Sequence, residues 1–348
     1  MHAPPSLPRS EGPVAVTRGS ALGSSDEPLA TAYDAALLDL DGVVYVGLHL
    51  VPGAAGALDL ARRAGLRLAF VTNNAARSAD AVAAHLCDLG VPATAADVAT
   101  AAQAAARILR ERLPAGAPVL VVGGPGLVAA VRDAGFAVVA AADPRPAAVV
   151  QGYTDTTTYA ELAEAALAIR AGALWVASNR DATMPSPRGQ VPGNGAMVAA
   201  LAVATGREPV VAGKPELALH QESMARVGAS RALVVGDRLD TDIAGAARAG
   251  CDSLLVLTGV TDVDLLLAAP PGMRPTYLAA DLGGLLRAHP TATVDSDGTA
   301  RCGAWTATVD GATATARCVD AGAGEENDDG LDGLRATAAA RWARADAS

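Results

Sequence analysis

Residues 37–44 read Leu-Leu-Asp-Leu-Asp-Gly-Val-Val, an apolar run that carries two aspartates, Asp39 and Asp41. Such a run is typical of a buried strand in a parallel sheet. If the strand continues to Asp41, both carboxylates point the same way. Gly42 then permits a turn that places them at the carboxyl edge of the sheet, where open α/β folds bind ligands. Two carboxylates this close require a cation that prefers oxygen ligands, such as Mg²⁺. The eight residues alone also fit an Asp-Gly turn that closes a hairpin.

The composition of the 348 residues argues against several classes of protein. The length suggests two or three domains. Apolar residues make up 51% of the chain, yet no run approaches the roughly 18 uncharged residues of a membrane span. Aromatic residues amount to 3% and the net charge is −10, which argues against a surface for nucleic acid or for an anionic membrane. We therefore expect a small-molecule partner, no nucleic acid and no membrane.

The cysteines and the amino-terminal segment indicate a cytoplasmic protein. The cysteines are widely spaced, without a Cys-x-x-Cys pair, at Cys87, Cys251, Cys302 and Cys318. This spacing argues against a zinc site or a dense disulfide framework and fits a reducing cytosol. Residues 1–30 are rich in Pro, Ser, Gly and Ala and lack the apolar segment of a signal peptide, so we expect a disordered tail.

Strand-like and helix-like segments alternate along most of the chain, which predicts an α/β fold with parallel sheets. A second series of such segments interrupts the first. We expect a Rossmann-like parallel-sheet core with an inserted α/β cap domain and a small C-terminal α+β module. The expected divisions are a tail (1–30), a core (31–106 and 211–288), a cap (107–210) and a module (289–348).

The sequence changes in character within the last of these divisions. Residues 302–309 and 314–319 are rich in threonine and flank Asp310-Gly311, which is a hairpin signal. An acidic stretch (324–330) precedes a final helix with an apolar face formed by Leu331, Leu334, Ala338 and Trp342. No catalytic constellation is visible here, so we expect this module to be structural or to form a dimer surface.

Polar residues follow the next predicted strand of the core, residues 67–72. Thr72, Asn73 and Asn74 offer a hydroxyl and main-chain N–H groups where this strand meets a helix. This arrangement suits the oxygens of a phosphate group. The same residues also fit an ordinary helix N-cap.

Lys214 closes a predicted strand (210–214) and is the only lysine of the chain, whose other cationic side chains are arginines. A lysine at this place supplies a compact positive charge that can neutralise both a carboxylate and a phosphate. Taken alone it would be a surface lysine. Its retention in a chain that otherwise uses arginine indicates that the ammonium group itself is needed.

Acidic residues follow a further predicted strand, residues 232–237. Asp237 closes this strand, and we expect it to bind a hard cation. Asp242, five residues on, could orient Lys214 or a metal-bound water. The alternative is a surface helix whose acids face water, and we favour that alternative for Asp240.

An aspartate pair, a hydroxyl, a lysine and a second acid pair on successive strand ends resemble the four motifs of the haloacid dehalogenase superfamily of phosphotransferases. Residues 71–74, 213–215 and 236–243 are similar to the subfamily of nitrophenyl-, phosphoglycolate- and pyridoxal-phosphatases. Members of that subfamily carry a large α/β cap between the second and third motifs. The resemblance covers about residues 35–285.

This resemblance implies hydrolysis of a phosphate ester in two steps. Asp39 would attack phosphorus to form an aspartyl-phosphate, and Asp41 would act first as acid and then as base. Mg²⁺ would be held by Asp39, the main-chain carbonyl of Asp41 and Asp237, with Asp242 behind them. The phosphate would be bound by Thr72, the Asn73 amide, Asn74 and Lys214.

Substrate specificity would then come from the cap. Prolines and glycines predict that residues 178–195 form a loop, whose candidate recognition residues are Asn179, Arg180, Asp181 and Asn194. A plain surface loop is the alternative. The Gly-rich residues 123–126 lack the Lys-Ser/Thr of a P-loop, so we expect a turn of the cap there.

The C-terminal module narrows the resemblance to actinobacterial members that hydrolyse glycerol 3-phosphate and carry a reduced acetyltransferase-like segment. We therefore expect a Mg²⁺-dependent phosphatase for glycerol 3-phosphate. The alternatives are a phosphoglycolate or 4-nitrophenyl-type phosphatase of broad specificity or, in a different class, a non-catalytic ligand-binding or sensory protein on this fold. The sequence leaves open a homodimer formed through the cap or the C-terminal module.

Overall fold

The computed structural model describes residues 22–186, 188–311, 313–319 and 329–348. Its helices are α1 (Leu29–Ala32), α2 (Ala54–Arg63), α3 (Ala79–Asp88), α4 (Ala101–Arg112), α5 (Pro125–Asp133), α6 (Tyr159–Arg170), α7 (Asn194–Thr205), α8 (Leu217–Val227), α9 (Ala244–Ala249), α10 (Val263–Leu267) and α11 (Asp332–Asp346). Short 3-10 helical turns span Ala95–Asp97 and Leu282–Leu286, and a wider π-helical turn spans Leu239–Ile243.

The strands are β1 (Ala35–Leu38), β2 (Tyr45–Val46), β3 (His49–Leu50), β4 (Arg67–Thr72), β5 (Val98–Thr100), β6 (Pro118–Val122), β7 (Ala137–Val139), β8 (Ala148–Gln151), β9 (Leu174–Ala177), β10 (Thr183–Ser186), β11 (Gly189–Pro192), β12 (Val210–Val211), β13 (Ala232–Gly236), β14 (Asp252–Val256), β15 (Tyr277–Ala279), β16 (Thr293–Val294), β17 (Ala300–Cys302), β18 (Trp305–Asp310) and β19 (Thr313–Cys318).

Six parallel strands form the core sheet in the order β15-β14-β13-β1-β4-β5. The central strand β1 is buried along its whole length, as its Ala-Ala-Leu-Leu sequence requires. Because the strands share one direction, the carboxyl ends of β1, β4 and β13 meet at one edge. Asp39 directly follows β1, Thr72 ends β4, and Asp237 directly follows β13. This placement excludes the hairpin alternative for the opening stretch, although β1 ends earlier than predicted, at Leu38.

The cap contains a second sheet of five parallel strands in the order β12-β9-β8-β6-β7. The two predicted boundaries of the cap differ from the structure. The boundary at 106/107 falls inside α4, whose buried face joins the same apolar cluster as Leu37 and Val234 of the core. Residues 210–211 were expected to start a core strand, but as β12 they pair with β9 of the cap. The cap sheet thus ends three residues before Lys214.

The loop predicted over residues 178–195 is wrong in part. The antiparallel strands β10 and β11 form a ribbon within it, and α7 already begins at Asn194. The prolines misled the prediction, because a two-stranded ribbon has two free edges where a residue without an N–H costs no ladder bond. The glycine turn also ends earlier than expected, since Pro125 occupies the first turn of α5, a position that suits proline.

The tail predicted over residues 1–30 is wrong for residues 22–30, which are anchored on the core. Leu22 and Leu29 are buried, and the Gly23 N–H donates to the Thr276 carbonyl at 2.8 Å. Two apolar anchors are enough to hold a segment whose composition otherwise resembles a linker. Residues 1–21 lie outside the described part of the chain.

The C-terminal module consists of the antiparallel sheet β16-β17-β18-β19 with α11 packed on it. The predicted hairpin is confirmed, with Asp310 paired to Thr313, but the strand predicted over 302–309 is divided at Gly303, which has a φ of +51°. Trp342 of α11 is buried, and its Nε1–H donates to the Leu266 carbonyl at 3.2 Å. Most of the acidic stretch, 324–328, lies outside the described residues.

One apolar cluster joins this module to the core and contains Trp342 together with Ile243 and Leu255. The module therefore packs against the turn Leu239–Ile243, which follows Asp237 closely in the sequence. Among the described residues, no helix has both the length and the apolar character needed to cross a membrane.

Candidate active site

The turn after β1 brings the first two acids to the sheet edge. The Asp39 N–H continues the β1–β13 ladder by donating to the Val235 carbonyl at 2.9 Å. Gly42 has a φ of +85°, and a Cβ placed on it would lie 2.5 Å from Oδ2 of Asp237. Only glycine fits both the left-handed backbone and this close approach. Gly42 is therefore required by the neighbouring carboxylate as well as by the turn.

The only lysine of the chain is buried in this site, so the surface alternative is excluded. Its Nζ lies 2.5 Å from Oδ1 of Asp39 and 2.6 Å from Oδ1 of Asp242, and the Lys214 side chain is only 4% exposed. Burial disfavours the charge, but the two carboxylates outweigh burial and hold the pKa of Lys214 above its ordinary value. Lys214 therefore presents a permanent ammonium group between two acids.

Asp39, Asp237 and Asp242 each offer one carboxylate oxygen within 4.8 Å of the others. Burial, together with the carboxylates of Asp242 and Asp237, raises the pKa of Asp39 to about 8, against the effect of Lys214. Burial and Asp242 likewise raise the pKa of Asp237 to about 6. Negative charge at this point exceeds what one ammonium group neutralises, which fits a divalent cation.

Hydrogen bonds distinguish the acids that are available to a cation from the one that is not. Oδ2 of the fully buried Asp237 accepts the Val260 N–H at 2.6 Å, whereas its buried Oδ1 has no protein partner among the described residues. Both oxygens of Asp242 are used, one by Lys214 and the other by the Arg238 N–H at 3.2 Å. Asp237 thus fits a metal ligand, and Asp242 fits a support for Lys214.

Asp41 lies beside these groups in a different electrostatic environment. Desolvation raises the pKa of its carboxyl, and the Arg77 guanidinium and the Gly47 N–H act in the opposite direction. A raised pKa suits a group that must carry a proton near neutral pH.

The junction after β4 differs from an ordinary helix cap. Ser78 is the N-cap of α3 and accepts the Ala81 N–H, which excludes the N-cap alternative for Thr72 and Asn73. The buried Thr72 accepts the Asn74 N–H at 3.1 Å through its hydroxyl oxygen. The Asn74 side chain in turn accepts the Ala76 N–H at 2.8 Å, so it stabilises the turn.

Two of the four candidate recognition residues, Asn179 and Asp181, contact the core, and the other two do not. Asn73 Nδ2 contacts both carboxylate oxygens of Asp181 at 3.3 Å, and Asn179 Nδ2 donates to the Asn73 carbonyl at 2.8 Å. Asn194 is buried behind them and donates to the Asn179 carbonyl at 2.8 Å. Arg180 is exposed and forms an ion pair with Glu208 on the surface of the cap. The structure therefore gives no role at the site to Arg180.

The sequence prediction missed the loop after β14, which closes around Asp237. Besides the Val260 N–H, the Thr261 hydroxyl donates to the Asp237 carbonyl at 2.5 Å, and a Cβ on Gly259 would collide with the Asp237 carboxylate. Gly259, three residues after the end of β14, was the available signal, but the one acid of the loop, Asp262, caps α10 and does not point to the site.

A parallel-sheet core with an inserted α/β cap, and with carboxylates and a lysine gathered at the carboxyl edge, is typical of a capped phosphohydrolase with a Rossmann-like core. The chain belongs to the family of haloacid dehalogenase-like hydrolases. A model of that family matches residues 36–137, a second HAD-hydrolase-like model matches residues 211–285, and a GCN5-related N-acetyltransferase-like model matches residues 302–348. The family predicted from the motifs is thereby confirmed.

Named relatives agree with this assignment. The chain is 49% identical to D-glycerol 3-phosphate phosphatase of Mycobacterium tuberculosis over 90% of its own length and 87% of that protein. It is 35% identical to an acid sugar phosphatase of Staphylococcus saprophyticus over 73% of its length and 97% of that protein. All these relatives are named phosphatases, and the chain is a phosphoric monoester hydrolase.

Solved structures give the same result for the fold. The glycerol phosphate phosphatase of M. tuberculosis in complex with magnesium has a TM-score of 0.82 and 48% identity, covering 91% of this chain and 92% of that one. The p-nitrophenyl phosphatase of Archaeoglobus fulgidus has a TM-score of 0.68 and 30% identity, covering 73% and 98%. The expected α/β fold is confirmed, and the magnesium of the first relative agrees with the cofactor expected from the acid cluster.

Proposed function

We propose that the chain hydrolyses glycerol 3-phosphate in a Mg²⁺-dependent reaction through an aspartyl-phosphate. The observation that carries this proposal is the buried Lys214, held between Asp39 and Asp242 beside an oxygen of Asp237 that has no partner in the described part of the chain. A site with this charge distribution suits a phosphate dianion and a divalent cation together. The M. tuberculosis relative supports glycerol 3-phosphate as the substrate, because its match extends over 90% of the chain, whereas the acid sugar phosphatase matches 73%.

In the first step, a carboxylate oxygen of Asp39 bonds to phosphorus while the bond from phosphorus to the ester oxygen breaks. Asp41 gives its proton to the departing alkoxide, for which its raised pKa is suited. In the second step, Asp41 takes a proton from water, whose oxygen bonds to phosphorus. The acyl-phosphate bond to Asp39 then breaks, which restores the carboxylate and releases orthophosphate.

The remaining residues hold the phosphate and the cation. The Lys214 ammonium, the Thr72 hydroxyl and the Asn73 main-chain N–H bind the phosphate oxygens. Asp39, Asp237 and the Asp41 carbonyl would hold Mg²⁺, which when bound neutralises the repulsion between the phosphate and the nucleophile. The proposed compartment is the cytoplasm, in keeping with four described cysteines, none of which forms a disulfide.

Phosphate release tests the proposal. The purified full chain is assayed with Mg²⁺ on glycerol 3-phosphate, phosphoglycolate, 4-nitrophenyl phosphate and a panel of sugar phosphates, with Asp39→Asn as the inactive control. We expect the highest kcat/KM for glycerol 3-phosphate and a loss on the order of 10⁴-fold in the control variant. A higher kcat/KM for another ester would refute the substrate, and no release from any ester would favour the non-catalytic alternative.

A further inference from the structure

The Asn73 side chain is the meeting point of three segments that are distant in the sequence. Its Oδ1 accepts the Lys214 N–H at 2.8 Å, and its Nδ2 donates to the Lys214 carbonyl at 3.3 Å. One amide therefore brackets the main chain of Lys214 on both sides, as a neighbouring strand would. The same Nδ2 reaches the Asp181 carboxylate of the cap, and the Asn73 carbonyl accepts from Asn179.

The cap fixes the other end of this arrangement. The buried Asn194, at the start of α7, donates to the Asn179 carbonyl, and the Asp181 N–H donates to Asn179 Oδ1 at 3.2 Å. Gly193 and Gly195 flank Asn194, and a Cβ on either would collide with the main chain of residues 180–181. Residues 179–181 are thus clamped to the cap helix on one side and to Asn73 on the other.

The chain itself supplies a second connection between the cap and the lysine. The last cap strand, β12, ends at Val211, and Gly213 passes so close to Asn73 that an added Cβ would lie 2.5 Å from its Oδ1. The same Cβ would lie 2.5 Å from the carbonyl of Ser178. Only Ala212 and Gly213 separate β12 of the cap from Lys214, whose main chain the Asn73 amide holds on both sides.

We propose that Asn73 is a positioning residue whose side chain, with Asp181, Asn179 and Asn194 of the cap, locks Lys214 in its phosphate-binding place when the cap is seated. This inference rests on the proposed role of Lys214. It revises the sequence expectation for Asn179 and Asp181, whose side chains are engaged with protein groups. Specificity then depends partly on whether a substrate lets the cap seat against Asn73.

A charge swap tests the contact between the cap and Asn73. Asn73→Asp keeps the acceptor for the Lys214 N–H, loses the donor to the Lys214 carbonyl and sets a carboxylate against that of Asp181. Such a like-charge contact is costly when poorly solvated, and only this contact can be repaired from position 181. Asp181→Asn alone keeps an oxygen that can accept from Asn73. The double variant combines Asn73→Asp with Asp181→Asn. The amide at position 181 can then donate to the carboxylate at position 73, which restores a hydrogen bond between the two side chains with donor and acceptor exchanged. Glu208→Gln, which removes only a surface ion pair of the cap, is the matched control.

We expect kcat/KM for glycerol 3-phosphate and the affinity for orthophosphate to fall about 100-fold in Asn73→Asp, and about threefold or less in Asp181→Asn and Glu208→Gln. The double variant should recover to within about tenfold of the wild type. Unchanged turnover in Asn73→Asp, or a double variant as impaired as Asn73→Asp at an equal thermal midpoint, would overturn the proposal.

Failure of the proposed function gives a different pattern. If the wild type hydrolyses no ester, the affinity for orthophosphate in the presence of Mg²⁺ can still be measured by calorimetry for the wild type, the two single variants and the double variant. Non-additive losses at positions 73 and 181 would then support the positioning role without catalysis, and additive losses would refute it.

Discussion

Replacing Lys214 by methionine removes the one cation at the centre of the acid cluster and leaves two carboxylates without their partner. The Asp242 side chain is 1% exposed and that of Asp39 is 13% exposed, so water compensates little for the loss. Removing one partner of a buried ion pair costs about 3–5 kcal/mol. We expect the free energy of unfolding of Lys214→Met to fall by about that amount at pH 7.5 without Mg²⁺, with most of the penalty due to Asp242.

Urea unfolding with and without Mg²⁺ measures this loss. Mg²⁺ should recover part of it, because a second cation can neutralise Asp39. Lys214→Arg is the matched control: it keeps the charge and most of the stability but cannot place a compact ammonium on phosphate. A loss below about 1 kcal/mol in Lys214→Met, the value of an exposed pair, would refute the buried bridge.

Three further changes test other parts of the site. Asp41→Asn should lower kcat about 10²- to 10⁴-fold in a phosphate-release assay while orthophosphate affinity, by calorimetry, stays unchanged; retained turnover would exclude Asp41 as acid and base. The raised pKa values of Asp39, about 8, and Asp237, about 6, mean that the folded metal-free chain binds more protons than the unfolded chain above pH 4. Its thermal midpoint in EDTA should therefore fall as the pH rises from 5 to 8, most steeply for the wild type and less for Asp237→Asn; a midpoint that rises over this range would contradict the described electrostatics. Trp342→Ala removes a fully buried indole and should lower the free energy of unfolding by about 3–5 kcal/mol in urea, whereas a change within about 0.5 kcal/mol would show that the C-terminal module does not support the core.

The positions of polar residues at the ends of predicted strands allowed much of the site to be predicted from the sequence. Asp39, Thr72 and Asp237 each follow or close a buried strand, and parallel strands bring their carboxyl ends to one edge regardless of sequence separation. Lys214 stood out because no other lysine occurs. These residues were predictable because one rule of topology fixes where they meet.

The contacts between loops could not be predicted in the same way. The Asn73 side chain serves Lys214 and Asp181, which lie 141 and 108 positions away, and no periodic pattern links them. The ribbon of β10 and β11 was missed because proline marks a break in most strands but not at a free edge. Residues 22–30 were missed because two buried leucines outweigh a composition typical of a linker.

The burial of the only lysine also makes the chain a natural single-site reporter. Apart from the amino terminus, an amine-selective reagent has one place to react, and that place is 4% exposed between two carboxylates. The labelling rate of Lys214 in the native protein therefore follows the events that expose this one side chain, from local opening of the site to global unfolding. Exposure of the site can therefore be followed over time through this native residue, without any introduced probe.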